Sequence, residues 1–170
     1  LEKSEIDEVD KRFDVNALRV LKARYLRKNE QGKLIETPKQ LFTRVAVHAA
    51  LPDMFYDERI FDMSGNQPIH PVEDFTPAEH DERHSIGKYS LNQYHWEAVK
   101  RMYDRFNKNK QMKSSWTKLF EMVAEGDFNK YEKNIDVFFN LMIAKKFLPN
   151  TPAIANFGNP LGMGSACFVL

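Results

Sequence analysis

One thiol is available to this chain of 170 residues, that of Cys167. It stands in the apolar run Ala166-Cys167-Phe168-Val169-Leu170, directly after a stretch carrying Pro152, Gly158, Pro160, Gly162 and Gly164. Glycine lets backbone approach a ligand closely, and glycine with proline interrupts regular structure. A thiol in such a place is a redox group at the edge of a pocket if its surroundings ionise it, or a small inert hydrophobe if hydrocarbon seals it. The residues by themselves leave both readings open. Thr151, between Asn150 and Pro152, fits a turn. In His80-Asp81-Glu82-Arg83-His84, the two histidines stand four apart and would share a helix face. The metalloprotease pattern requires Glu where Asp81 stands, and a metal site needs a third ligand and supporting shell that nothing here identifies. The segment reads as a solvated polar loop, and no metal site is expected.

Positioning Cys167 and Thr151 is work for helices. Leu18, Leu21 and Tyr25 recur at helical spacing, which predicts a helix from Val15 to about Lys28 with Asp14 as N-cap. Glu30-Gln31-Gly32-Lys33 follows as a turn, with Gly32 at positive φ. Thr37 and Gln40 form a capping box with Pro38 at the first helical position, opening a helix that should end near Ala50, ahead of Pro52. Ser90 and Gln93 form a second box for a helix to about Asn107. A helix over Ser115–Glu125 closes at Gly126. The run from Asn134 to Phe147 is apolar on nearly every side, as in a buried helix. The domain plan is a polar segment at 1–14, a helical domain at 15–147 with an irregular insertion at about 52–89, and a loop-and-strand segment at 148–170.

The signs of 25 basic and 24 acidic residues are interspersed, leaving a net charge of +1. That balance provides no basic face for nucleic acid. No apolar run approaches the roughly 18 residues of a membrane span, and no signal core opens the chain. One cysteine cannot form an intrachain disulfide, which places the protein in a reducing, cytoplasmic compartment. Both ends look like cuts, so a longer polypeptide is expected.

Two segments carry a resemblance. Residues 147–170, FLPNTPAIANFGNPLGMGSACFVL, are similar to the first active-site segment of the large catalytic subunit of ribonucleotide reductase, most like the adenosylcobalamin-dependent class II form, whose usual pattern is FLPNSPTLxNAGxxxxxLSACFVL. Residues 17–50, ALRVLKARYLRKNEQGKLIETPKQLFTRVAVHAA, resemble that family's helical N-terminal region. The resemblance implies a mainly α domain leading into the first strand of a ten-stranded α/β barrel that lies beyond this chain. It implies that Cys167 is one of a redox cysteine pair serving thiyl-radical chemistry on a ribonucleotide. It places Thr151 against the substrate's phosphates, and Ala166, through its backbone, and Cys167 in the ribose pocket. Adenosylcobalamin as radical source, a thioredoxin-like reductant and a homodimer follow from the same likeness, and a fragment holding one thiol of the pair is expected to be inactive alone. The glycines at 158, 162 and 164 divide between ordinary turn residues and a wall of the pocket.

The chain departs from that pattern at Phe157, where Ala is usual, and at Gly164, where Leu is usual. Arg24, Tyr25, Glu36 and Arg44, the polar signposts of the upstream segment, are read as ion pairing and capping among packed helices. Asp136 and Asn140, on one stripe of the apolar helix, are read as satisfying nearby loop backbone. Two alternatives stand beside the class II reading: a class I enzyme with a separate radical-generating subunit, and a non-catalytic helical interaction module with Cys167 merely packed.

Overall fold

Capping chemistry sets where most helices begin. In the computed structural model, which describes residues 7–74, 84–160 and 164, Asp14 accepts from the amide of Ala17 (2.8 Å) and starts α1, Val15–Arg24. Thr37 and Gln40 exchange side-chain-to-amide bonds of 3.2 and 2.9 Å, and α2 follows as Pro38–Phe55. Ser115 caps α4, Trp116–Ala124, and Gly126 at φ +83° ends it in the left-handed conformation that glycine adopts without strain. The other helices are α3, Gln93–Lys108, α5, Glu132–Ile143, and α6, Thr151–Asn156. The only sheet among the described residues is a two-stranded antiparallel hairpin of β1, Ser85–Ile86, and β2, Tyr89–Ser90. The fold is mainly α, as the sequence implies. The strand expected at 166–170 lies outside the described residues.

Several boundaries differ from expectation. Helix α1 ends at Arg24, short of Lys28, which pairs with Leu34 instead. Helix α2 continues through Pro52 to Phe55. The proline removes one ladder amide, a loss of about 3 kcal/mol in a helix interior. Leu51, Met54 and Phe55, all 0% exposed, offset it by burial, and the ladder resumes with the Tyr56 amide on the Pro52 carbonyl (3.1 Å). Helix α3 is capped by Asn92 and His95, not by Ser90 and Gln93, because Ser90 is paired with Ser85 in the hairpin. Helix α5 ends at Ile143, and Val137 is 56% exposed although Ile135, Met142 and Ile143 are buried.

The chain divides into two compact units. The first comprises residues 1–46 and 136–170. Its core holds Val9, Leu21, Leu26, Leu41, Phe42, Val45, Met142, Ile143, Ala153 and Ile154. Phe13 stacks on Phe42 at 5.3 Å between ring centres. Between α1 and α2 the backbone doubles back, with Lys28 bridging Leu34 and Gly32 at φ +75° in the turn.

The second unit, residues 47–135, is built round aromatic side chains. Trp96 and Trp116 meet edge to face at 6.0 Å, and Tyr103 packs on Trp116 at 5.3 Å while donating to the Ser114 carbonyl. Much of the stretch 56–74 is irregular yet pinned: buried Asn107 accepts from the His70 amide and donates to the His70 carbonyl, both at 2.9 Å. Asp57 is a second anchor. Its side chain is 0% exposed and receives Arg59 at 2.9 Å, Lys130 at 2.8 Å and the Tyr131 hydroxyl at 3.0 Å. The Arg59 hydrogen bonds, opposed by burial and assisted by Lys130, hold its carboxyl well below the usual carboxylate range.

Candidate functional site

The site grows from six residues that the sequence marks as a loop. Asn150 accepts from the Ala153 amide (3.2 Å), Pro152 supplies a preset φ in the first turn, and α6 forms over Thr151–Asn156. Ala153 and Ile154 turn inward and are buried, which leaves Thr151 exposed at the start of the helix. The helix stops at Phe157, whose backbone is extended, and Gly158 follows at φ +69°.

A buried ion pair from the upstream segment holds this short helix. Arg44 and Glu36 are each 5% exposed at the side chain. Arg44 Nε donates to Glu36 Oε1 (2.6 Å) and Nη2 to Glu36 Oε2 (3.2 Å). A guanidinium carries five N–H donors, so three remain. Nη1 donates to the carbonyls of Ile154 (3.1 Å) and Phe157 (2.6 Å), and Nη2 to the carbonyl of Tyr25 (3.3 Å). Every donor has an acceptor, which is the condition under which a buried pair avoids a heavy desolvation penalty. Three of those acceptors are main-chain carbonyls, two of them at the C-terminal end of α6. Glu36 also accepts from the Arg27 amide (3.1 Å), tying the turn after α1 into the same cluster.

At the other end of α6 the Tyr25 and Thr151 hydroxyls lie 3.1 Å apart, within hydrogen-bond distance, with either able to donate. The ion pairing expected for Glu36 and Arg44 is therefore present, and it reaches further than helix packing. Charge type and the eight-residue spacing suggest the pair itself. Nothing in the sequence signals its bonds to carbonyls 110 and 113 positions away.

The two departures from the usual pattern meet in space. A Cβ built on Gly164 would lie 2.5 Å from Phe157 Cε1, far inside van der Waals contact. The large side chain at 157 thus uses room that a side chain at 164 would fill. A side chain at 164 would force the Phe157 ring to shift; close approach and not backbone conformation is what favours glycine there, since its backbone is not in the left-handed region.

Cys167 and Ala166 lie outside the described residues, as do Gly162, His80 and the rest of 75–83. His84 is buried at 4% exposure, with its ring 4.0 Å from Phe120 and edge-on to Trp96 at 5.4 Å. Among the described residues no group of three or more His, Cys, Asp or Glu is placed to hold a metal ion. None of the described helices is long and apolar enough to cross a membrane.

Fold and clamp together define an all-α domain that fixes a short loop-and-helix segment near its C-terminal end. A family model described as the ribonucleotide reductase all-alpha domain matches residues 11–78 and 93–162. The chain belongs to that family. It is also 32% identical, over 161 residues, to the vitamin B12-dependent ribonucleoside-diphosphate reductase of Thermoplasma acidophilum. That alignment covers 95% of this chain and 19% of the relative, so the chain spans a minor part of the protein it resembles. No solved structure matches the chain.

Proposed function

We propose that this chain is the part of a ribonucleotide reductase that carries one redox cysteine and one wall of the substrate site. The observation that carries the reading is the Arg44–Glu36 clamp on α6, because a fully satisfied buried charge is spent on fixing the segment that holds Thr151 and leads toward Cys167. Thr151 contributes a hydroxyl donor to the phosphates of the substrate, for which the relative's name favours a ribonucleoside diphosphate over the triphosphate. Ala166 contributes backbone to the ribose pocket. Cys167 is one of two thiols that reduce the sugar. In the net reaction two S–H groups are oxidised to one disulfide, the C2′ hydroxyl leaves as water, and hydrogen takes its place. A thiyl radical on a further cysteine removes the 3′-hydrogen and returns it. That cysteine and the second thiol of the pair belong to the remainder of the reductase, so the fragment alone is inactive.

The segment 148–170 then supplies the active-site loop and the first barrel strand, following the helical domain at 15–147. Adenosylcobalamin supplies the radical in the complete enzyme. Among the described histidines, His95 caps α3, His84 is packed among aromatics, His70 contacts the Met112 carbonyl and the His48 ring lies 6.1 Å from that of His95. No step is therefore assigned to the cobalamin on these residues. A thioredoxin-like reductant that recycles the disulfide, a homodimeric assembly and a cytoplasmic location complete the proposal. The relative's vitamin B12 dependence favours class II over class I, and the Arg44 clamp favours a catalytic wall over a purely structural module.

The test is Cys167→Ser in the complete reductase. Multiple turnover with a dithiol protein as reductant is lost, while the unfolding midpoint and far-ultraviolet circular dichroism are unchanged. Sustained turnover in that variant would reject the redox assignment.

A further inference from the structure

We infer that Tyr25 is a positioning residue for Thr151, setting the direction in which its hydroxyl proton points. The inference rests on the reading of Thr151 as a contact to substrate phosphate. An exposed threonine hydroxyl is free to rotate among its staggered wells and to bond its own backbone. Here Thr151 Oγ1 lies 3.1 Å from Tyr25 Oη, so the two hydroxyls share one hydrogen bond. Two hydroxyls hold two protons. One lies in the shared bond, and the other is left for an outside acceptor, as a phosphate oxygen would be. With Tyr25 as the donor in the shared bond, the proton left over is that of Thr151.

Tyr25 is well placed to impose that direction. It is the C-cap of α1, its amide donates to the Leu21 carbonyl (2.9 Å), and its carbonyl accepts from Arg44 Nη2 (3.3 Å). The next residue, Leu26, is buried at 6% exposure. A phenol on so constrained a backbone has two torsions left, and little entropy is lost in holding them. Through the same guanidinium, the backbone of Tyr25 and the C-terminal end of α6 are fixed to one group, so the distance between Tyr25 and Thr151 is set by one shared anchor.

The experiment is a double-mutant cycle in the complete reductase with Tyr25→Phe, Thr151→Val and the two together. Steady-state constants and equilibrium binding of a ribonucleoside diphosphate are read for each. Tyr25→Phe keeps the ring and removes only the hydroxyl, so folding is preserved, and an unchanged unfolding midpoint verifies it. The expected result is a rise of about three- to tenfold in KM and Kd with kcat nearly unchanged, the size of one lost hydrogen bond. With Val at 151, the Tyr25→Phe change has no further effect. If Thr151→Val raises KM but Tyr25→Phe does not, or if the two effects multiply independently, the positioning role is overturned while the phosphate contact stands. If Thr151→Val leaves both KM and Kd unchanged, the phosphate contact is rejected, and the role of Tyr25 goes with it.

Discussion

Each of the two units contains an arginine paired with a buried carboxylate, and the pairs differ in where their leftover hydrogen bonds go. In the first, Arg44 and Glu36 are both 5% exposed, and the arginine's remaining donors serve the main chain of Tyr25, Ile154 and Phe157. In the second, Asp57 is 0% exposed but Arg59 is 40% exposed, and the carboxylate is the hub on which Arg59, Lys130 and Tyr131 converge. Arg59 reaches beyond it to Asp127 and over the Phe128 ring, both in the turn before α5. Burial of a charge is common to both and says little about function. The useful distinction is that one pair positions a segment with a candidate binding group, while the other closes turns of its own unit.

The most severe way to test that contrast is Arg44→Ala. It leaves Glu36 buried without its partner, and the expected loss is about 3–5 kcal/mol, read from the unfolding midpoint in denaturant. Substrate KM should rise in the same variant. Arg44→Lys keeps the charge but has three donors on a point-like head, so it should recover only part of both properties. An unchanged KM in Arg44→Ala would erase the difference between the two pairs.

Next in size is Asp57→Asn, with an expected destabilisation of about 1–3 kcal/mol and no change in KM or kcat. The pH dependence has a definite sign. The folded-state pKa of Asp57 is depressed, so its contribution is present above the unfolded value of about 3.9 and fades as pH falls from there toward the folded value. The wild-type protein should therefore lose stability below about pH 4 more steeply than Asp57→Asn, as followed by denaturant midpoints across that range. Equal slopes would contradict the assigned role of the carboxylate.

The smallest effect sharpens the picture of α6. Gly164→Ala forces Phe157 to shift and should cost about 1 kcal/mol. Phe157→Ala in the same chain restores the space, so the double variant should be more stable than the sum of the single effects allows. Simple additivity would mean that the ring and residue 164 do not compete for one volume.

Local chemistry was the most legible part of the chain. Asp14, the Thr37–Gln40 box, Gly32 and the Ser115–Gly126 pair each act within a few residues, and each is where side-chain type and spacing place it. Errors arose where packing or pairing outweighed local preference. Burial of Leu51, Met54 and Phe55 carries α2 past Pro52, and pairing in the hairpin takes Ser90 away from capping. Helix α6 was missed because Asn150-Thr151-Pro152 is as good a turn as it is a cap, and only the buried faces of Ala153 and Ile154 decide between them. For the candidate site, the motif singles out Thr151 but not its contact with Tyr25, since 126 positions separate them and neither residue type implies the other.

The bonds from Arg44 to Ile154 and Phe157 also constrain the order of events at the ribosome. Glu36 lies only eight residues back and can close on the arginine early, but the two carbonyls that complete the cluster are 110 and 113 residues further along. At about 5–20 residues per second, the nascent guanidinium waits roughly 5–20 seconds for them. All of residues 47–135 are synthesised during that interval. Translation thus favours completing the inserted unit first, with the α6 segment secured after it.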